Sequence, residues 1–358
     1  MQLRVENLYY LLCYAWGCLD EHDLVDVAAQ EVRTAEELFA RVLHAASRRL
    51  LRQRLDRGYR EETDDLRRPR GKLHVARTAA RGAHSRGIIE CSFDDVTEDV
   101  LHNRVLKATV RRLATVEGIG KELRHDLEAV AREMPAVTDV SITTQDFQRL
   151  QLHSNLRRYR FALHVCALLH RCLLPDQGTG QWRFRSFTGD EREMGELFES
   201  FVRAFLTQEQ RVFPKVGRTP IQWIVDGDPN GLLPGLMTDI TLRRPGHAVV
   251  VETKCYGKPL VQRQFNRAAA LRSKDVCQLV AYLANFRRAE EERLTGVLMY
   301  AVDQPTLPST RMRLLGHEVH VVEVDLNQPW TKIDRCLRDF VAGLSDVATP
   351  SPDLGRTS

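Results

Sequence analysis

Met237-Thr-Asp-Ile-Thr-Leu-Arg-Arg-Pro-Gly-His-Ala-Val-Val-Val-Glu-Thr-Lys254 is the stretch on which the reading of this chain turns. Two strand-like runs, one alternating and one apolar, meet at Pro245-Gly246, a dipeptide that signals a reversal of the chain. If 245 and 246 form a two-residue loop, opposed positions sum to 491, and Asp239 lies across from Glu252 on one sheet face. Lys254, two residues on, shares that face. Pro-Gly favours type II or bulged turns, which would shift the register by one. The apolar run Ala248 to Val251 anchors the second strand in a core. Two carboxylates and an ammonium therefore project together beside a buried strand. Crowding like charges is costly unless a hard divalent cation with oxygen ligands neutralises them. Asp239 and Glu252 are thus candidate ligands for Mg²⁺, with Mn²⁺ able to substitute. Lys254 is a candidate to orient an attacking water or to steady charge on a phosphate. A Glu-x-Lys triplet alone is common by chance, and its surroundings give it weight. The competing reading is an exposed cross-strand ion network.

The surroundings fit a site. Before the hairpin, Glu191 to Leu206 carries Met194, Leu197, Phe198, Phe201, Val202 and Phe205 on one helical stripe. Glu199 sits at the border of that stripe while Glu196 points away, so Glu199 is the acid expected to face the sheet and help bind metal or water. After the hairpin, a helix is expected from Asp275 to about Arg288 with Ser273 as its N-cap. Gln278 and Tyr282, four apart, lie together at the edge of its apolar stripe, placed to touch the site or a DNA backbone. Strand-like stretches at 220–225, 236–243, 247–255 and 296–302 give the order αβββαβ, an α/β unit. One more helix follows Pro329, and the tail 346–358 is expected to be disordered.

The first half reads as mixed α+β. An apolar helical segment begins at Leu8, and Thr34-x-x-Glu37 announces a helix over 35–53. A very basic run follows, from Arg48 through Arg60 to Arg67, Arg68, Arg70 and Lys72, interrupted by acids at 61–65. It reads either as a solvated face or as a surface for phosphates or an acidic partner. Short strands are expected at 72–79 and 87–93, and helices at 97–114, 120–133 and 155–174. The turn-rich Pro175-Asp-Gln-Gly-Thr-Gly180 marks the expected boundary between domains 1–175 and 176–345.

Composition limits the alternatives. A chain of 358 residues makes about two domains. Its 43% hydrophobic and 28% charged content is that of a globular protein. The net charge of +4 is too mild to prove nucleic-acid binding. The longest apolar stretch, Leu8 to Trp16, is far short of the roughly 20 residues needed to span a bilayer. No membrane segment is expected, and with Glu6 before that stretch and no cleavage site after it, a cytoplasmic protein is. The eight cysteines include no CxxC pair, so reduced thiols are expected. His164, Cys166, His170 and Cys172 read as core packing. No GxxxxGK[ST] occurs, so nucleotide hydrolysis would belong to a partner.

Asp239 with Glu252-Thr-Lys254 resembles the core motif of the PD-(D/E)xK nuclease superfamily, with Thr238 in place of the proline. Gln278-x-x-x-Tyr282 resembles an accessory motif of several of its branches. Asn7-Leu-Tyr-Tyr-Leu-Leu-Cys-Tyr-Ala-Trp16, Glu98-Asp-Val-Leu-His-Asn-Arg-Val-Leu-Lys107 and Gly195-Glu-Leu-Phe-Glu199 look like segments of the McrC family, in the expected order. The resemblance implies a Mg²⁺-dependent nuclease subunit of a modified-cytosine restriction system. Such a subunit works on double-stranded DNA with a McrB-like AAA+ GTPase ring and stimulates its GTP hydrolysis. It implies that the first half docks on the ring and the second half cuts. A non-catalytic adaptor of the GTPase and an autonomous DNA nuclease are the rival readings.

Overall fold

The computed structural model describes residues 3–21, 24, 32, 34–150, 154–175, 182–186, 189–227, 231–256, 259–263, 266–289, 291–307 and 309–345. The expected tail 346–358 lies outside the described residues, as does most of the expected boundary segment 175–180. The chain divides into two units, Arg33–Arg185 and the pair of segments Met1–Val32 and Ser186–Ser358.

The second of these is organised by its most apolar strand. The helix α1 (Val5–Ala15) comes first, then α2 (Glu191–Glu209), β1 (Lys215–Gly217), β2 (Ile240–Arg244), β3 (His247–Cys255), α3 (Ser273–Asn285), β4 (Arg293–Val302), β5 (Thr310–Leu314), β6 (His317–Asp325) and α4 (Trp330–Ser345). The six strands form one mixed sheet in the order β5-β6-β4-β3-β2-β1. β3 is parallel to β4, and β4 to β6. β2 is antiparallel to β3. Along the sheet the chain runs αβββαβ, the order expected from the sequence, and then adds β5, β6 and α4. Its first strand, however, is Lys215–Gly217 and not the expected 220–225, of which only Pro220–Ile221 is a strand, paired with Leu236–Met237 outside this sheet. Ala248 to Val251 are fully buried, as a central strand flanked by a parallel neighbour requires.

The hairpin holds the register that sums to 491. His247 faces Arg244 and Val251 faces Ile240, and Gly246 takes the positive φ of 74° that the tight loop demands. Gly296 on β4 is set by packing, because a Cβ there would lie 3.0 Å from Leu283 and 3.2 Å from Leu279 and Val319. Its missing side chain lets α3 approach the sheet.

Further expectations need correction. Ser273 is the first residue of α3 rather than its cap; Arg272 holds the cap position without a side-chain hydrogen bond. The helical segment at the start of the chain does not belong with the residues up to 175. α1 is apolar nearly all round, with Leu8, Tyr9, Leu11, Leu12, Cys13 and Tyr14 buried, and it packs on α2. The buried amide of Asn7 donates to the carbonyls of Leu326 (2.8 Å) and Gln328 (2.7 Å), and Tyr10 stacks on Trp330 at 4.6 Å. Tyr9 and Tyr14 are thus ordinary core residues. The boundary falls at 32 and at 185, because a helix with so much apolar surface must bury it somewhere.

The unit Arg33–Arg185 is α+β. Its first helix, Ala35–Arg52, starts where Thr34 accepts from the Glu37 backbone N–H at 3.3 Å. Leu38, Val42, Leu43, Ala46 and Leu50 form its buried stripe. Helices Leu101–Ala114, Lys121–Arg132 and Arg160–Cys172 follow, with Leu106, Val110 and Leu113 inaccessible. Strand Ile89–Thr97 pairs with Gly58–Leu66 and with Lys72–Leu73 in an antiparallel sheet. The expected strand over 72–79 stops at Leu73, and Val75–Ala80 is a helix. Cys166 and Cys172 are core residues. Among the described residues, no helix is long and apolar enough to cross a membrane.

Candidate active site

The site stands at the carboxyl end of β3, where the apolar strand turns polar while still buried. Glu252 is only 1% exposed. Beyond the last ladder pair, Ile240 with Val251, the register carries Asp239 to the level of Glu252. Asp239 Oδ2 accepts from the backbone N–H of Thr253 at 2.8 Å and from its hydroxyl at 2.9 Å. These bonds leave its other oxygen for a further partner. That Thr253, the middle residue of the Glu-x-Lys triplet, holds the Asp239 carboxylate is a contact that spacing alone does not reveal.

Lys254 donates to Glu252 Oε1 and to Gln278 Oε1, the latter at 3.1 Å. Gln278 donates to the Tyr282 hydroxyl at 2.9 Å, and Tyr282 donates to the Met237 carbonyl at 2.9 Å. The chain Met237-Tyr282-Gln278-Lys254-Glu252 closes a ring of contacts between the hairpin and α3. Five of the six residues singled out from sequence, Asp239, Glu252, Lys254, Gln278 and Tyr282, are thus brought together. The remaining oxygen of Glu252, Oε2, is buried and has no hydrogen-bond partner.

The electrostatics follow from this arrangement. Burial, then the nearby charge of Asp239, push the Glu252 carboxyl up to about 7, against the opposing pull of Lys254. Burial alone would depress the Lys254 ammonium, but Glu252 and Asp239 outweigh it and hold it above its ordinary value. Behind the pair, Asp275 is fully buried and accepts from the hydroxyls of Tyr300 (3.2 Å) and Tyr256 (3.4 Å). Asp275 adds to the negative field on Glu252. Its place in the first turn of α3 fixes the turn that presents Gln278. Nothing in the sequence distinguishes it from a solvated helix-start acid.

Thr238, in the position where the motif has proline, is fully buried. Its N–H donates to the Thr219 carbonyl at 3.1 Å and its hydroxyl accepts from the Thr219 N–H at 2.9 Å. Proline could make neither bond, so Thr238 steadies Asp239 by a different route.

Glu199 departs from expectation. Its carboxylate is engaged by Arg203 one turn along α2 at 2.5 Å and by Arg218 at 3.8 Å, and Arg218 also donates to the Thr238 carbonyl at 3.4 Å. Among the described residues no three His, Cys, Asp or Glu side chains gather to hold a metal. Glu199 therefore does not join Asp239 and Glu252, because two guanidinium groups compete for the same carboxylate. In the other unit, part of the basic run is spent on internal ion pairs, Arg48 with Glu133 and Arg57 with Glu98.

Two carboxylates suit a cation that keeps several of its waters, as Mg²⁺ does. The unpartnered Oε2 of Glu252 is the kind of atom such an ion satisfies. The donor set therefore fits the group expected from the sequence.

Comparison with known proteins identifies the family. The family model described as McrBC 5-methylcytosine restriction system component matches residues 4–301. A relative from Escherichia coli K12, the Type IV methyl-directed restriction enzyme EcoKMcrBC, is 30% identical over 344 residues, 94% of this chain and 97% of that protein. The fold is similar to a chain in the refined half-complex from a tetradecameric assembly of Thermococcus gammatolerans McrB AAA+ hexamers with bound McrC. The TM-score is 0.60 at 16% identity, covering 95% of this chain and 76% of that one. With most of its length matched by the family model and by the Escherichia coli relative, the chain belongs to the McrC family of McrBC 5-methylcytosine restriction system components.

Proposed function

We propose that this chain is the DNA-cutting subunit of a modified-cytosine-dependent restriction complex, with a PD-(D/E)xK nuclease core in the unit that contains the six-stranded sheet. The observation that carries the reading is the buried, unpartnered Oε2 of Glu252 beside Asp239 and Lys254. Asp239 and Glu252 would hold Mg²⁺ or Mn²⁺. Such an ion polarises a phosphodiester and makes its bound water a stronger nucleophile. The remaining work falls to the chain's own groups. Thr253 fixes the Asp239 carboxylate so that one oxygen stays available. Lys254, held charged by its acidic neighbours, donates to the oxygens of the scissile phosphate as negative charge builds there. Gln278, anchored by Tyr282, keeps the Lys254 ammonium directed at the site. Glu199 holds Arg218 beside the strand that presents Asp239, rather than acting as a ligand.

The partner in this reading is a McrB-like AAA+ GTPase ring, as bound by McrC in the Thermococcus gammatolerans assembly. The unit Arg33–Arg185 would dock on it and stimulate GTP hydrolysis, and the complex would act on double-stranded DNA in the cytoplasm. The absence of a GxxxxGK[ST] loop supports leaving nucleotide hydrolysis to the ring. The test is reconstitution with the ring protein on a duplex containing 5-methylcytosine. Cleavage should require both GTP and Mg²⁺, and should vanish in Asp239→Ala and Lys254→Ala. Cleavage that survives exhaustive EDTA treatment, or full activity in either variant, would overturn the reading.

A further inference from the structure

A cavity of about 530 Å³ lies between the edge strand β5 and helix α4. It is on the face of the sheet opposite Glu252 and Lys254. Val319 and Val321 of β6 pack in the core against Leu279 and Leu283 of α3. By alternation His320 and Val322 point the other way, into this cavity. Directly across from His320 on β5 stands Arg311. On α4, Lys332, Arg335, Asp339 and Gly343 follow one flank of the helix, beside the buried stripe of Ile333, Leu337, Phe340 and Leu344.

The charge in this groove is one-sided. Arg311, Lys332 and Arg335 face a single carboxylate, Asp339. Several other arginines of the unit are committed: Arg203 to Glu199, Arg293 to Glu318, and Arg338 to Glu209 and Asp334. Among the described residues Arg311 and Arg335 form no ion pair, and Lys332 reaches only the amide oxygen of Gln328 at 3.1 Å. Gly343 leaves the Arg311 guanidinium uncovered; a Cβ there would stand 3.6 Å from its Nη2. Two uncommitted guanidinium groups and an ammonium around one recess supply the positive charge and N–H donors that phosphate oxygens accept. Its two aromatic rings, Phe340 at 9% exposed and His320 at 7%, are both buried, so neither offers an open face on which to stack a base. What it can recognise is phosphate, without base identity.

We infer that the groove between β5 and α4 binds the phosphate backbone of nucleic acid, as a second contact on the face of the sheet away from the Asp239, Glu252 and Lys254 cluster. The contact is electrostatic and independent of sequence, and it holds whether or not that cluster cuts. Binding is therefore measured in EDTA, on the full chain, by anisotropy of a short labelled duplex over a series of salt concentrations. The double variant Arg311→Ala/Arg335→Ala should weaken binding at least about tenfold and lower the slope of log K against log salt by about 2, one phosphate contact for each cation lost. Gly343→Glu sets a carboxylate beside Arg311 without touching the cations, and should weaken binding several-fold more than Gly343→Gln. It also serves as the second probe if the double variant loses its cooperative melting. Unchanged affinity and slope in these variants would overturn the inference. So would saturable binding of inorganic phosphate or GDP that the double variant abolishes while duplex binding stays intact, since the groove would then serve a small phosphorylated ligand.

Discussion

Both units bury a glutamate on a strand, and the two are finished differently. Glu90, on the strand Ile89–Thr97, is 6% exposed, and both of its oxygens are met by arginine: Arg77 on Oε1 at 2.9 Å and Arg81 on Oε2. Thr78 caps its backbone N–H at 2.9 Å. Glu252 is still more buried, has one ammonium on one oxygen, and keeps the other without a partner. A buried carboxylate with two guanidinium partners is a closed structural device. A buried carboxylate left half-satisfied beside a second acid is an incomplete one, which the divalent cation proposed above would complete. The difference separates a charge satisfied within the sheet from one that is not.

The comparison can be broken most directly at Glu252. Replacing it by Gln should reduce DNA cleavage by the reconstituted complex on the order of 10³-fold, the scale of losing electrostatic stabilisation at a reacting centre. Gel assays of initial rates would show it, and a loss below tenfold would place Glu252 on the structural side with Glu90. Gln278→Ala should cost about 10- to 100-fold, because it frees Lys254 without removing it. Its melting temperature should stay near that of the wild type.

Stability tells the two glutamates apart in the opposite sense. The Glu252 carboxyl is raised to about 7 from its ordinary value near 4.5. Between those values the folded chain holds a proton that the unfolded chain has released, so stability falls as pH rises through that window. Without metal, Glu252→Gln should therefore be more stable than the wild type at pH 8 by roughly 1–3 kcal/mol, and the gain should disappear near pH 4.5. Urea unfolding at the two pH values measures it. A variant less stable than the wild type at pH 8 contradicts the idea of an uncompensated charge. Glu90→Gln should act the other way, destabilising by about 1 kcal/mol, a modest figure because Arg77 and Arg81 remain largely solvated. The smallest effect on cutting is expected for Glu199→Gln. It should leave the Mg²⁺ requirement intact and change the rate less than about tenfold, as a tether of Arg218 rather than a ligand.

Much of the unit with the six-stranded sheet was legible because it obeys local rules. Pro245-Gly246 fixed the hairpin, and the 491 register followed from a loop of two residues. The i, i+4 spacing of Gln278 and Tyr282 placed both on the face that meets the hairpin. What escaped depends on distant partners. Glu199 has the right position on its helix for a ligand, but Arg218, nineteen residues later in a different element, takes its carboxylate. Asp275 and Thr253 reveal their roles only through the side chains that reach them. Strand Gly58–Leu66 is almost wholly polar, so it offers no periodic signal, and only its pairing with Ile89–Thr97 makes it a strand. The domain boundary was misplaced because α1 is joined in sequence to one unit and in packing to the other.

The central claim is that Asp239 and Glu252 form a divalent-cation site, and metal titration of the full-length chain tests it without DNA or partner. Mn²⁺ binding followed by electron paramagnetic resonance should show a saturable site in the wild type from which Mg²⁺ displaces the ion. That site should disappear in Glu252→Gln and persist in Glu199→Gln and Glu90→Gln. Mn²⁺ binding that survives in Glu252→Gln, or that is lost in Glu199→Gln, would contradict the account.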